Sequence, residues 1–179
     1  DNFEKQDSKY FDDIMPCTQI KILKISNSST NLWTVNHVKS FISKFPSLTE
    51  LYICGNLVYL NQLFAIIASY CPNIEKLCFP FTTPYSLKVN TTHFPKLKQV
   101  KINNMHGHGN WPFLFQSFLR MHSDILEKIH LTVQPVKYDC VIGKSTCDAI
   151  MECKNLKNLK VKCFSPVVLS KFHTVIKEN

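Results

Sequence analysis

One pattern recurs six times along the chain and constrains its fold more than any other feature: an apolar residue, two residues, an apolar residue, one residue, an apolar residue. The copies are Ile20, Leu23, Ile25; Leu48, Leu51, Ile53; Ile74, Leu77, Phe79; Leu97, Val100, Ile102; Leu126, Ile129, Leu131; and Leu156, Leu159, Val161. Their first positions lie 28, 26, 23, 29 and 30 residues apart, and near-even spacing in the range of roughly 20 to 50 residues marks a repeat architecture. Alternation at the end of each copy, as in Leu77-Cys78-Phe79, predicts a short strand with one buried face. A lead-in repeats as well: Phe45-Pro46-Ser47-Leu48, Cys71-Pro72-Asn73-Ile74, Phe94-Pro95-Lys96-Leu97 and Cys153-Lys154-Asn155-Leu156. Proline in that second place fixes φ and removes a donor just ahead of the strand, where it stops a helix without breaking a ladder bond.

The copies resemble leucine-rich repeats, and their Cys/Phe-Pro-x-Leu-x-x-Leu-x-Leu form is most similar to the cysteine-containing repeats of F-box/leucine-rich-repeat proteins. The resemblance covers about residues 17 to 176. It implies an α/β fold, a leucine-rich-repeat solenoid of about six repeats, curved so that a parallel sheet lines the concave side while helices and irregular segments form the convex side. In that family an F-box holds the ubiquitin-ligase adaptor and the repeats select the substrate. Residues 1 to 16 are too few for an F-box and are expected to form an N-terminal cap or linker, with Phe11, Ile14 and Met15 covering the first repeat and 17–179 the repeat domain. The resemblance therefore implies substrate recognition or a repeat-only effector for this chain, with the adaptor a partner only where an F-box lies upstream in a longer parent.

Among 179 residues, 45% are apolar and 12% aromatic, which excludes a disordered chain. The longest apolar stretch, Leu57 to Tyr70, is interrupted by Asn61, Gln62 and Ser69, so no membrane span is expected. The first residues, Asp1-Asn2-Phe3-Glu4-Lys5, have neither the basic region nor the apolar core of a secretory signal. Of the eight cysteines, Cys17, Cys71 and Cys153 occupy the lead-in place that Phe45 and Phe94 fill in other copies. A residue that exchanges with phenylalanine reads as a buried small hydrophobe, and reduced thiols favour a cytoplasmic or nuclear site of action, with delivery from another cell left open. Cys140 and Cys147 stand outside the frame as the pair to check for a disulfide.

The net charge of +8 is unevenly spread. Asp1, Glu4, Asp7, Asp12 and Asp13 lie ahead of the repeats, so the array itself is strongly basic and suits an acidic partner. Arg120 is the one arginine, which weakens the case for sequence-specific nucleic-acid reading.

Between strands the pattern predicts helices with Val35, Val38, Phe41 and Ile42, then Leu60, Leu63, Phe64 and Ile67, then Leu114, Phe115, Phe118 and Leu119, then Ile150 inward, and an amphipathic tail using Leu169, Phe172, Val175 and Ile176. The connection from Phe79 to Tyr85 holds Pro80 and Pro84 and is expected to be extended or 3-10. If Leu77 and Phe79 point inward, then every second residue of each strand lines the other face. Three columns result: Ile22, Glu50, Lys76, Gln99, Lys128, Asn158; Lys24, Tyr52, Cys78, Lys101, His130, Lys160; and Ser26, Cys54, Pro80, Asn103, Thr132, Lys162. The expected partner-binding residues are Lys24, Tyr52, Lys76, Lys101, Lys128, His130, Lys160 and Lys162, docking an acidic protein segment with Tyr52 as the aromatic anchor. Non-specific nucleic-acid or phospholigand binding through the same face, or a scaffold using other faces, are the alternatives.

No catalytic residues, cofactor or metal are expected, and the chain by itself is expected to be monomeric. His106 and His108 flank Gly107 without a nearby acid or cysteine, and Gly107 to Gly109 lacks the lysine and spacing of a phosphate loop. Asn27-Ser28-Ser29 and Asn90-Thr91-Thr92 match the glycosylation pattern, which matters only on a secretory route.

Overall fold

The structure is a computed structural model, and it describes residues 14–26, 35–54, 60–80, 92–105, 111–133 and 144–163. Six strands, β1 (Ile22–Ser26), β2 (Glu50–Cys54), β3 (Lys76–Pro80), β4 (Gln99–Met105), β5 (Lys128–Val133) and β6 (Asn158–Cys163), form one sheet in the order β1-β2-β3-β4-β5-β6. Every neighbouring pair is parallel. Among the described residues, four helices lie between them: α1 (Val35–Ile42), α2 (Leu60–Tyr70), α3 (Trp111–Met121) and α4 (Lys144–Met151). Because each strand is laid beside the one before it, the strand order never reverses, and the sheet lacks the switch-point crevice in which doubly wound α/β folds bind ligands.

The six-fold frame sets the register. Leu23 pairs with Leu51, Leu51 with Leu77, Leu77 with Val100, Val100 with Ile129 and Ile129 with Leu159, so the equivalent residue of each copy stands beside that of the next. These side chains and the inward rows of the helices make one buried cluster, including Val38 and Ile42 of α1, Leu63, Phe64 and Ile67 of α2, Phe115 and Leu119 of α3, and Ala149 and Ile150 of α4. The apolar residue that opens each copy sits in the turn ahead of the strand: Leu48, Ile74, Leu97 and Leu126 are fully buried there.

The same turn repeats its backbone bonds. The Lys21 carbonyl accepts from Thr49 and Glu50, that of Thr49 from Glu75 and Lys76, that of Glu75 from Lys98 and Gln99, that of Lys98 from Glu127 and Lys128, and that of Glu127 from Lys157 and Asn158. Two donors on each carbonyl satisfy the backbone at the leading end of every strand and fix where the ladder begins. A one-residue slip would turn each strand's apolar set to the opposite face, so burial and these bonds specify the same register.

The lead-in places stack in the same way. Cys71 is fully buried, its thiol donates to the Phe45 carbonyl at 3.3 Å, and Cys153 donates to Ala149 at 3.5 Å. Burial pushes both thiols up to about 11. His122 takes this place in the fifth copy, where Ile125 and Leu126 both donate to its carbonyl. Cys17, Cys54, Cys71, Cys78, Cys147 and Cys153 are free thiols, and Cys54 alone of these six is exposed. A chromogenic thiol reagent is accordingly expected to modify Cys54 rapidly in the native protein, with Cys71, Cys78, Cys147 and Cys153 reacting only as the chain opens; equal rates for Cys54 and Cys71 would contradict this packing.

Several expectations are corrected. Met15 is 80% exposed rather than packed over the first copy. The inner face of β3 extends to its other side, since Cys78 is 2% exposed and Pro80 is buried. The third column is interrupted, because the β4–β5 register shifts between Ile102 and Met105 by one residue in β4. Expectations for Phe11, Pro84, Asn27, Asn90, His106, His108, Cys140 and the tail with Leu169, Phe172, Val175 and Ile176 fall outside the described residues.

Candidate binding face of the sheet

Parallel sheets usually carry cover on both faces. Here the described helices share one buried cluster with one set of strand side chains, and the other set stays partly or fully exposed across β1, β2, β4, β5 and β6. Strand alternation places that second set together, and the register aligns it. Ile22, Glu50, Lys76, Gln99, Lys128 and Asn158 stand in one row, and Lys24, Tyr52, Cys78, Lys101, His130 and Lys160 in the next. Lys162 pairs with Thr132 further along β6. All eight residues expected at the site therefore lie on this face, drawn from all six strands.

They do not form one uniform field. On the β1–β3 side, the Tyr52 hydroxyl donates to Glu50 Oε2 at 2.7 Å, and Lys76 Nζ lies 3.2 Å from the same oxygen. Lys24 Nζ and Lys76 Nζ stand 5.4 and 5.1 Å from the centroid of the Tyr52 ring, within cation–π range. The Tyr52 hydroxyl, then Lys76 and Lys24, hold the Glu50 carboxyl below its ordinary value, while partial burial raises the Tyr52 phenol. Lys76 is raised by the Tyr52 hydroxyl and by Glu50, so both charges of the pair persist through neutral pH. Tyr52 is thus engaged with neighbours through its hydroxyl and its ring.

On the β4–β6 side the chemistry differs. Lys101, Lys128, Lys160 and Lys162 make no side-chain hydrogen bond or ion pair with the described residues, and no acid stands among them in the aligned rows. His130 Nε2 lies 3.2 Å from Asn158 Oδ1; an amide oxygen only accepts, so Nε2 carries the proton and the ring is oriented. At the border, Asn103 donates to Cys78 Sγ at 3.3 Å, while burial raises the Cys78 thiol against the opposing influence of Lys101.

A cleft of about 460 Å³ lies at the leading ends of the strands, lined by Glu75, Lys96, Lys98, Ile125, Glu127 and Lys157. Its charges are already engaged: Lys98 pairs with Glu75 at 3.0 Å, Lys157 pairs with Glu127 at 3.1 Å, and Lys96 donates to Asn73 Oδ1 at 2.7 Å. Paired exposed ions at a wet rim give little to a ligand. No three His, Cys, Asp or Glu side chains among the described residues converge as metal ligands, and no described helix is long and apolar enough to cross a membrane.

The residues that the sequence reading does not single out are Glu50 and the buried His122. Glu50 and Tyr52 are two apart on one strand, and that spacing was the available signal. Compared with family models, curated proteins and solved structures, the chain matches none.

Proposed function

We propose that the chain is a leucine-rich-repeat solenoid serving as a protein-recognition module, and that the open face of its sheet binds an acidic segment of a partner protein. The observation that carries this reading is the in-register row Lys24, Tyr52, Cys78, Lys101, His130, Lys160, which brings cations from separate copies onto one surface. Parallel strands stand about 4.8 Å apart, so neighbouring side chains converge on one ligand. In a parent that carried an F-box, the same face would select the substrate for the ligase; without one, the module would act by occupancy alone.

The test is capture from an extract of the source cells on immobilised protein, comparing the parent chain with a Lys101→Glu/Lys128→Glu/Lys160→Glu variant. Loss of three favourable contacts and gain of three repulsive ones should lower recovery of the specific partners by about tenfold or more. Equal recovery of every partner by both proteins overturns the reading and favours a scaffold that uses another face.

A further inference from the structure

We infer that Glu50 acts as an internal competitor that confines the acidic ligand to the β4–β6 half of the face, making Lys101, Lys128, Lys160 and Lys162 the contact residues and excluding Lys24 and Lys76. This rests on the reading above and specifies which part of the face is used. An incoming carboxylate at Lys76 must displace one already 3.2 Å away, and the Tyr52 hydroxyl is bonded to that same carboxylate. At Lys24 it meets an ammonium placed over the Tyr52 ring. Neither obstacle exists in the β4–β6 half, where Lys101 and Lys160 stand two strands apart in one row, roughly 10 Å by strand spacing, with Lys128 one row away.

An extended acidic peptide fits this patch better than a nucleic acid does. Single-stranded nucleic acids are held by aromatic platforms and by arginine. The described β4–β6 strands present no aromatic on this face apart from His130, the Tyr52 ring is engaged by lysines, and Arg120 of α3 is paired with Glu152 at 3.1 Å.

The experiment is fluorescence anisotropy with a rhodamine-labelled deca-glutamate peptide at low ionic strength, with a labelled deca-thymidylate as a second probe. Lys101→Gln/Lys128→Gln/Lys160→Gln is expected to weaken peptide binding by about tenfold or more, and Lys24→Gln/Lys76→Gln by less than about threefold. Glu50→Gln keeps an acceptor for the Tyr52 hydroxyl while removing the competing charge; it is expected to tighten binding by about two- to fivefold, and a misfolded variant cannot produce that gain. Equal losses from the two lysine variants, or no gain from Glu50→Gln, overturns the confinement while the face itself stands as a binding site. Absence of peptide binding to the parent protein overturns both, and tighter binding of deca-thymidylate than of deca-glutamate overturns the acidic-peptide class.

Discussion

Replacing Phe64 by alanine is expected to destabilise the protein by about 3–5 kcal/mol, a large share of the roughly 5–15 kcal/mol that holds a domain folded. The Phe64 ring is buried on α2 and lies 4.9 Å from Phe79 of β3, 5.8 Å from the lead-in Phe94 and 5.6 Å from Phe118 of α3. Its interplanar angles with Phe79 and Phe94 are 80° and 83°, the edge-to-face arrangement that adds about 0.5–1.5 kcal/mol per pair beyond area burial. Truncation removes three ring contacts at once and leaves a cavity between consecutive copies. Urea unfolding of the two proteins measures the difference, and a loss below about 1 kcal/mol would show that these elements do not pack as described.

The second large effect is set by pH. His122 is 1% exposed, accepts from the Phe94 backbone N–H at Nε2 over 3.0 Å and donates from Nδ1 to the Phe118 carbonyl over 2.7 Å. A carbonyl only accepts and an N–H only donates, so both contacts demand the neutral Nδ1–H tautomer. Burial, reinforced by the stacked His93 5.2 Å away, lowers its pKa from 6.5 to about 4. Between those values the unfolded chain binds the proton and the native chain does not. Stability from this site is therefore complete above pH 6.5 and declines as pH falls toward 4, by roughly 3 kcal/mol in all. Denaturant melts at pH 7 and pH 4.5 should show the parent protein losing more stability than a His122→Leu variant, although the variant starts lower because the Phe94 N–H has lost its acceptor. Parallel pH profiles would contradict this role.

The sheet was legible in the sequence because its buried positions are apolar and recur in one frame: Leu51, Leu77, Val100 and Ile129 predict both the strands and their partners. The open rows followed from alternation alone. His122 escaped because the fifth copy holds three residues between the lead-in and Leu126 where the other copies hold two. Gln116 and Thr146 escaped for another reason. Both are buried, with Gln116 Nε2 donating to Thr146 Oγ1 at 3.2 Å across α3 and α4, and a polar residue on an amphipathic helix shows its partner only after the helices are packed. The division of the face was hidden likewise: six lysines and one glutamate count as a basic surface, whereas pairing across strands decides which of those charges a ligand meets.

Backbone NOEs on the labelled protein test the register on which the account depends. The expected cross-strand contacts between amide and α protons follow the pairing of Leu51 with Leu77, Leu77 with Val100 and Val100 with Ile129. They keep Lys76, Lys101 and Lys128 on a single face. Contacts offset by one residue at β3–β4 or β4–β5 would place neighbouring lysines on opposite faces and contradict the account.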